Sequence, residues 1–349
     1  MVAVLGLALL AGVTPGSSPS AHAASTLSTA TTDPAGTTCP LSPRLVPRCG
    51  GRVLTGAYVA PKAGETYSRA FARYEQETGA PTQVVHLYYR GDRRFPNADE
   101  QQALRQGGVR RILFAAWKPD EGYTWRQVAD GAADAMITRQ ADYLRENWNR
   151  KMFLTIHHEP ENEVQDRAGS GYEARDYRAM FQHVEDVFDA RGLDKVVWVM
   201  NYMGFERWAL TDWFDDLYPG DRYVGWLAYD PYKTAGIGGQ EGGFNSLVNQ
   251  YYGASDWRGF YRWARAEHPG RPVMMGEWGI GEREGDPSWK PSLFRSIAKR
   301  LDRFPRLKAL IYFDNDDADV AGNVSVDTTR DSLRAFRGFL DSGRVATIG

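Results

Sequence analysis

Eight runs of apolar, β-branched and aromatic residues recur along the chain and predict buried strands. They read RVLTGAYVA, TQVVHLYYR, RRILFAAWKP, KMFLTIHHEP, KVVWVMNY, RYVGWLAYDPY, RPVMMGEWG and LKALIYFDN. Most of them are nearly continuous rather than alternating, as expected for strands that are covered on both faces.

Amphipathic helical patterns separate these runs. The clearest pattern covers residues 172–191 and ends at Gly192, and the others cover 134–149, 256–267, 290–304 and 331–342. Strands that alternate with helices in this way predict an α/β protein with the (β/α)8 TIM barrel fold. A doubly wound open sheet is the alternative, and it is disfavoured because no glycine-rich phosphate-binding turn follows the first strand.

The chain before residue 53 lacks this alternation. An apolar run from Val2 to Val13 precedes Ala21-His22-Ala23, a small-x-small cleavage pattern, and predicts a signal peptide over residues 1–23, although the usual basic residues before the run are missing. We expect a flexible segment over residues 24–52, because Ser, Thr, Pro and Gly dominate residues 14–40, and the barrel domain over 53–349. A secreted, extracellular chain favours a disulfide between Cys39 and Cys49, with two free thiols as the alternative.

Composition and charge narrow the class of partner. The 349 residues are 42% hydrophobic and 13% aromatic, and the formal net charge is −2. That is enough to bury a large core, and the absence of a basic patch argues against nucleic acid. No other segment resembles a membrane span, so we expect no membrane contact after signal removal, and we expect a monomer.

Polar and aromatic residues stand where the predicted strands end, which in a barrel of this type is the face that carries the active site. Aromatic rings stack on the apolar faces of sugars, and polar tips bond their hydroxyl groups, so these residues predict a site for a polysaccharide or oligosaccharide. The candidate substrate-binding residues are His86, Trp117, His158, Asn201, Tyr229, Tyr232, Trp278 and Tyr312.

Two glutamates are the candidate catalytic residues. Glu159 follows the fourth predicted strand and Glu277 lies at the end of the seventh, so a barrel would place them on opposite sides of its mouth. Hydrolysis of a glycosidic bond needs one carboxylic acid to protonate the leaving oxygen and a second carboxylate to attack the sugar or activate water. The alternative is that both are ordinary surface carboxylates, and Glu161, Glu163, Glu282 and Glu284 are rivals that we expect to be solvated.

Metal sites have weaker support. His157 and His158 are adjacent, so in a strand their side chains point to opposite faces and a shared zinc ion is disfavoured. The loop from Asp314 to Asp319 has carboxylates at calcium-like spacing but lacks the Gly and distal Glu of an EF-hand, which favours a solvated loop. The proposed chemistry needs no cofactor.

The motifs HHEPEN and MMGEWG, at the fourth and seventh strands, resemble those of glycoside hydrolase family 26, a retaining clan A group of (β/α)8 endo-enzymes. The resemblance covers most of the chain after Gly56 and includes His86, the segment AAWKP, VVWVMNY and YDPY. It implies Glu159 as the acid/base, Glu277 as the nucleophile and Tyr232 as a residue that touches the nucleophile. The chain departs from the family's mannanases in having no Trp-rich stretch after Glu159 and in having Tyr312 at a Trp position.

We therefore expect a secreted, retaining endo-glycoside hydrolase that cleaves a β-linked polysaccharide, β-mannan or a related β-glycan. A hydrolase of mixed-linkage β-glucan or β-1,3-xylan is one alternative. A non-catalytic carbohydrate-binding barrel is the other, and the presence of both carboxylates argues against it. The sequence leaves the sugar, the linkage and endo or exo action open.

Overall fold

The computed structural model describes residues 38–234, 243–250, 256–317 and 322–349. The expected signal peptide over 1–23 and the first part of the expected flexible segment, 24–37, lie outside the described residues. Within the described ranges no helix is long and apolar enough to cross a membrane.

The eight predicted strands form a closed parallel barrel, and the predicted (β/α)8 TIM barrel is confirmed. The strands are β1 Leu54–Val59, β2 Val84–Arg90, β3 Ile112–Lys118, β4 Met152–Ile156, β5 Val196–Tyr202, β6 Trp226–Tyr229, β7 Tyr232–Lys233, β8 Val273–Ile280 and β9 Leu307–Asp314. The hydrogen-bonded order is β6-β5-β4-β3-β2-β1-β9-β8, and pairing of β6 with β8 closes the ring. The two-residue strand β7 extends the sixth strand run toward the cleft and pairs with Gly279 and Ile280.

Helices surround the barrel. They are α1 Tyr67–Thr78, α2 Ala98–Arg105, α3 Trp125–Ala129, α4 Asp134–Asn147, α5 Ala174–Ala190, α6 Glu206–Ala209, α7 Phe244–Val248, α8 Phe260–Glu267, α9 Trp289–Arg300 and α10 Arg330–Leu340. The five predicted helices correspond to α4, α5, α8, α9 and α10. The other five, α1, α2, α3, α6 and α7, are additional. The helices α1 and α2 begin where Thr66 and Asn97 accept hydrogen bonds from backbone N–H groups of the first turn.

Side chains alternate between two apolar layers along each strand. On β3, Ile112 and Phe114 belong to a cluster that contains no helix residue, whereas Leu113, Ala115 and Trp117 pack with residues of the helices. The first layer is therefore the barrel interior and the second lies between barrel and helices. This alternation decides which residues of a strand end can reach the mouth.

The amino ends of the strands are covered by residues 38–52 and by the last residues of the chain. Cys39 and Cys49 are joined by a disulfide, and both are buried against the barrel interior. The Cys39 N–H donates to Thr347 O at 2.6 Å, and the Ala346 N–H donates to Val53 O. The described part of the segment expected to be flexible is therefore a packed floor of the barrel, because its apolar residues fill the opening.

Candidate active site

Glu159 follows β4 in a backbone turn of unusual conformation. Both His157 and Glu159 have positive φ, 50° and 54°, a region that residues other than glycine rarely adopt. The turn is tied to both neighbouring strands, since the His157 N–H donates to Trp117 O at 2.7 Å and the Glu159 N–H donates to Asn201 O at 3.0 Å. This turn directs the half-buried Glu159 away from the line of the strand.

Glu277 lies inside β8, with its side chain directed to the barrel mouth. It is 7% exposed. Tyr88 donates its hydroxyl hydrogen to Glu277 Oε1 and Tyr232 donates to Oε2, each at 2.5 Å. The contact implied for Tyr232 by the family resemblance is therefore present, and Tyr88 makes the equivalent contact from the other side.

The barrel brings the two glutamates together across 118 positions of sequence. One carboxylate oxygen from each of Glu159, Asp230 and Glu277 lies within 4.8 Å of those of the other two. Retaining glycosidases hold their carboxyl groups about 5–5.5 Å apart and inverting ones about 6.5–9.5 Å. This bound on the oxygen atoms of Glu159 and Glu277 lies nearer the first of these two ranges.

The two glutamates differ in electrostatic environment. Burial raises the pKa of Glu159 well above its usual range, and the nearby charge of Glu277 raises it further. Burial also raises the pKa of Glu277, but the hydrogen bonds from Tyr232 and Tyr88 oppose that rise. The arrangement favours a protonated Glu159 and an ionised Glu277, which suits an acid and a nucleophile respectively.

Asp230 links the two sides of the site from below. Its Oδ1 accepts the backbone N–H of Glu277 at 2.8 Å, and its Oδ2 accepts a hydrogen bond from Asn201 Nδ2 at 2.7 Å. Burial raises the pKa of Asp230 well above its usual range, followed by the charges of Glu277 and Glu159. Gly276 leaves room for this network, because a Cβ there would lie 2.2 Å from Asn201 Oδ1.

Two histidines complete the inner wall as neutral groups. His158 Nε2 lies 3.6 Å from Glu277 Oε1, and burial, followed by the charge of Lys118, holds its pKa well below the usual range. His86 faces the barrel interior, where its Nδ1 donates to Phe114 O at 3.0 Å and burial lowers its pKa to about 3. His86, His158, Asn201 and Tyr232 thus lie in or beneath the site, and their contact with substrate stays a prediction.

Four of the predicted substrate-binding residues lie elsewhere, and the prediction for them is wrong. Trp117, Tyr229, Trp278 and Tyr312 are each at most 1% exposed and belong to the layer between barrel and helices. Trp278 packs edge-on against Tyr312 at 4.7 Å, and Tyr229 stacks on Phe260 of α8 at 4.5 Å. The physical reason is the two-residue period of a strand: Trp278 follows the inward Glu277 and so points outward.

The sequence was compared with family models and with curated proteins. No family model matches the chain. Endoglucanase H of Acetivibrio thermocellus is 25% identical over 301 residues, a match that covers 82% of this chain but only 30% of that protein.

Solved structures give the fold. A Bacillus subtilis mannanase aligns with TM-score 0.55 and 17% identity, covering 80% of this chain and 84% of that one. The catalytic domain of a Bacillus sp. JAMB-750 GH26 endo-β-1,4-mannanase aligns with TM-score 0.56 and 15% identity, covering 85% and 88%. The fold is that of the glycoside hydrolase family 26 barrels. At the level of the fold, the resemblance expected from the motifs is confirmed.

Within this barrel, the inward positions of the strands supply residues that the sequence analysis did not select. Tyr88 alternates with the inward His86, and Phe313 alternates with the inward Ile311, so the period of the strand would have found both. Phe313 stacks on Tyr58 at 4.9 Å, and both pack with Tyr88 and Tyr232. These rings form the aromatic wall, Tyr58, Tyr88, Tyr232 and Phe313, beside Glu277.

The carboxylates after Glu159 are also not uniformly solvated. Glu161 is fully buried, and its carboxylate accepts the backbone N–H groups of Met203 and Gly204, each at 3.0 Å. Burial raises the pKa of Glu161 to about 7. Glu161 is thus a structural carboxylate that ties the Glu159 loop to the segment after β5, contrary to its predicted exposure.

Two carboxylate groupings in the described ranges have the spacing of metal ligands, and neither includes the Asp314–Asp317 stretch; Asp319 lies outside the described residues. In the Glu159–Asp230–Glu277 group, Asp230 and Glu277 already accept the hydrogen bonds described above. In the other, Asp120, His157 and Glu163, the two imidazole nitrogens face different carboxylates, and Lys118 contacts Glu163. The donors of this second group are therefore directed at one another rather than at a common ion.

Proposed function

We propose that the protein is a secreted, retaining endo-glycoside hydrolase that cleaves a β-linked polysaccharide by double displacement. The observation that carries the proposal is the separation of the Glu159 and Glu277 carboxylates, whose oxygens approach within 4.8 Å. The surrounding family 26 fold supports it. Glu159 acts as general acid and base, and Glu277 acts as nucleophile.

The first step forms a bond between a Glu277 oxygen and the anomeric carbon while the glycosidic bond breaks. Glu159 gives its proton to the departing oxygen, which leaves as a hydroxyl group. In the second step Glu159, now ionised, takes a proton from water, and the oxygen of that water displaces Glu277. Each step inverts the anomeric centre, so the sugar is released with its original configuration.

The substrate class rests on the aromatic wall and on the comparisons. Rings beside the nucleophile suit the apolar faces of a sugar. The relatives are named as an endoglucanase and endo-β-1,4-mannanases, which supports a β-linked glucan or mannan cleaved internally. Secretion rests on the apolar run and cleavage pattern over residues 1–23, and the disulfide between Cys39 and Cys49 agrees with it.

The deciding experiment is a polysaccharide panel of β-1,4-mannan, mixed-linkage β-glucan and β-1,3-xylan, with the anomeric form of the first product followed by NMR. We expect one backbone to be cleaved and the β-anomer to appear first. An initial α-anomer would contradict the retaining mechanism. Binding of a polysaccharide without cleavage of any would show a carbohydrate-binding barrel instead.

Variants separate the roles of the two glutamates. Glu277→Ala should abolish turnover, and azide should restore cleavage of an aryl glycoside with inverted product, because azide takes the place of the missing nucleophile. Glu159→Ala should retain the first step only for substrates whose leaving group needs no proton, and azide should there give a product of retained configuration. The opposite pattern would reverse the assignment.

A further inference from the structure

His157, the residue before His158 and Glu159, is buried on the outer side of the barrel, away from the cleft. Its side chain is fully buried. Nδ1 lies 3.0 Å from Asp120 Oδ1, and Nε2 lies 3.2 Å from Glu163 Oε1. Trp125 of α3 packs edge-on against the ring at 5.1 Å.

Neighbouring side chains hold the ring of His157 at both nitrogens. Asp120 Oδ1 lies at Nδ1, which the indole N–H of Trp125 also approaches at 3.3 Å, and Glu163 Oε1 lies at Nε2. The contact with His157 is the leading cause that lowers the pKa of the Glu163 carboxyl to about 2. The side chain of His157 is therefore anchored between two carboxylates and an indole.

The backbone around His157 needs such an anchor. His157 and Glu159 both have left-handed φ, and this conformation persists in residues other than glycine only where the surroundings impose it. The anchored side chain of His157 fixes one end of the turn. The hydrogen bond from the Glu159 N–H to Asn201 O fixes the other.

We propose that His157 is a positioning residue for the reaction: held between Asp120 and Glu163, it imposes the left-handed turn that aims the Glu159 carboxyl at the glycosidic oxygen. His157 touches neither the substrate nor Glu277 and acts through Glu159. The inference rests on the proposed function and deepens it. Replacement of His157 should therefore damage the acid step selectively.

The test uses the dependence of kcat/KM on the leaving group, because kcat/KM reports the first step and only a poor leaving group needs protonation there. The probes are 2,4-dinitrophenyl β-mannobioside with β-1,4-mannan, or the corresponding cellobioside with mixed-linkage β-glucan, whichever pair the wild-type protein cleaves. For His157→Leu we expect kcat/KM on the polysaccharide to fall about 30- to 100-fold, as a displaced catalytic group would cause. On the dinitrophenyl glycoside we expect a change of less than about threefold.

His183→Leu is the matched control. His183 Nε2 also contacts a carboxylate, Asp134 Oδ1 at 2.6 Å, but the pair joins α5 to α4 outside the site. Loss of this pair should leave the ratio of the two kcat/KM values at the wild-type figure. Conversely, His157→Gln, which keeps one donor toward a carboxylate, should recover part of the activity on the polysaccharide.

The outcomes separate the inference from the proposed function. If Glu159→Ala itself shows no dependence on the leaving group, the proposed function fails. If Glu159→Ala shows it but His157→Leu lowers both kcat/KM values equally, His157 is merely structural and the inference is overturned. Should His157→Leu not fold, Asp120→Ala removes one of the two anchors and must show the same selective loss, or the inference is equally overturned.

Discussion

Glu277 is buried, and the hydroxyl groups of Tyr88 and Tyr232 stabilise its ionised form by donating a hydrogen bond to each carboxylate oxygen. Their loss should matter most at low pH. In Tyr88→Phe or Tyr232→Phe the pKa of Glu277 rises, since burial then acts with less opposition. The nucleophile must be ionised, so the acid limb of the kcat/KM profile should move to higher pH, and kcat/KM below the optimum should fall about tenfold per phenol.

Tyr89→Phe is the control for this prediction. Tyr89 neighbours Tyr88 in β2 but points outward, where its hydroxyl donates to Glu100 Oε2 at 3.1 Å. Its removal should leave the acid limb where it is. A profile that does not move in either Tyr88→Phe or Tyr232→Phe would show that the phenols do not control ionisation of the nucleophile.

At the residue scale, the sequence identified the carboxylates of the site but did not predict how the backbone orients them. Glu159 and Glu277 could be selected because carboxylates are unusual at the ends of apolar strands. Asp230 was visible as a residue of the YDPY segment, but its contact with the Glu277 backbone depends on the register of β6 beside β8. The turn at His157 and Glu159 is left-handed but contains no glycine, the residue that usually indicates this conformation in a sequence, so its geometry could not be predicted.

At the scale of the strand, one position separates a residue that lines the cleft from one that packs between the barrel and the helices. Tyr312 and Phe313 are neighbours in β9, but Tyr312 packs against Trp278 and Phe336 while Phe313 stands in the aromatic wall. Tyr312→Leu should lower the free energy of unfolding by about 1–3 kcal/mol and leave KM within about twofold. Urea denaturation and steady-state kinetics give the two quantities.

Phe313→Leu is the matched variant on the inward side. Loss of an aromatic contact is worth about 0.5–1.5 kcal/mol, so KM for the polysaccharide should rise about two- to tenfold. A rise in KM for Tyr312→Leu with none for Phe313→Leu would reverse the assignment of faces to β9.

The existence and order of the strands and of five helices followed from hydrophobic runs and their spacing. The side of the sheet that each aromatic residue faces could not be predicted in the same way. Its position near the end of a strand was taken to place it in the cleft, and the two-residue period was not counted from a residue known to point inward. Had Glu277 served as that reference, Trp278 would have been placed outside.

At the scale of the whole molecule, stability should decrease as the pH rises toward neutrality. Burial raises the pKa of Asp314 to about 7, above its ordinary value of 3.8, and its carboxylate accepts a hydrogen bond from the Val326 N–H at 2.8 Å. Between these two pKa values the folded state binds a proton that the unfolded state has lost, so this group lowers the free energy of unfolding by up to about 1.4 kcal/mol per pH unit. The stabilisation is complete below the lower value and is gone above about pH 7.

Asp314→Asn tests this dependence. The amide cannot titrate and still accepts from Val326, so urea denaturation between pH 5 and pH 7 should show a slope less negative than that of the wild-type protein by about 1.4 kcal/mol per pH unit. Identical slopes in the two proteins would exclude Asp314 as the titrating group.

The disulfide of the floor should contribute to stability from outside the catalytic machinery. A bridge between residues ten apart in sequence restricts the unfolded chain by about 3 kcal/mol in the chain-entropy model. The paired Cys39→Ala, Cys49→Ala variant should lose about that much and keep its kcat/KM at temperatures where it remains folded. Addition of a reductant should lower the stability of the wild-type protein to that of the variant and leave the variant unchanged.

The floor has a practical consequence for attachment of the protein to a solid support. Thr38 and Gly349 are neighbours, since a Cβ at Gly349 would lie 2.9 Å from Thr38 Cγ2, and both lie at the amino ends of the strands. A linker coupled at Gly349 therefore leaves from the side opposite the cleft. Immobilised in this way, the protein would turn its mouth outward to the solution, where a long polymer has free access.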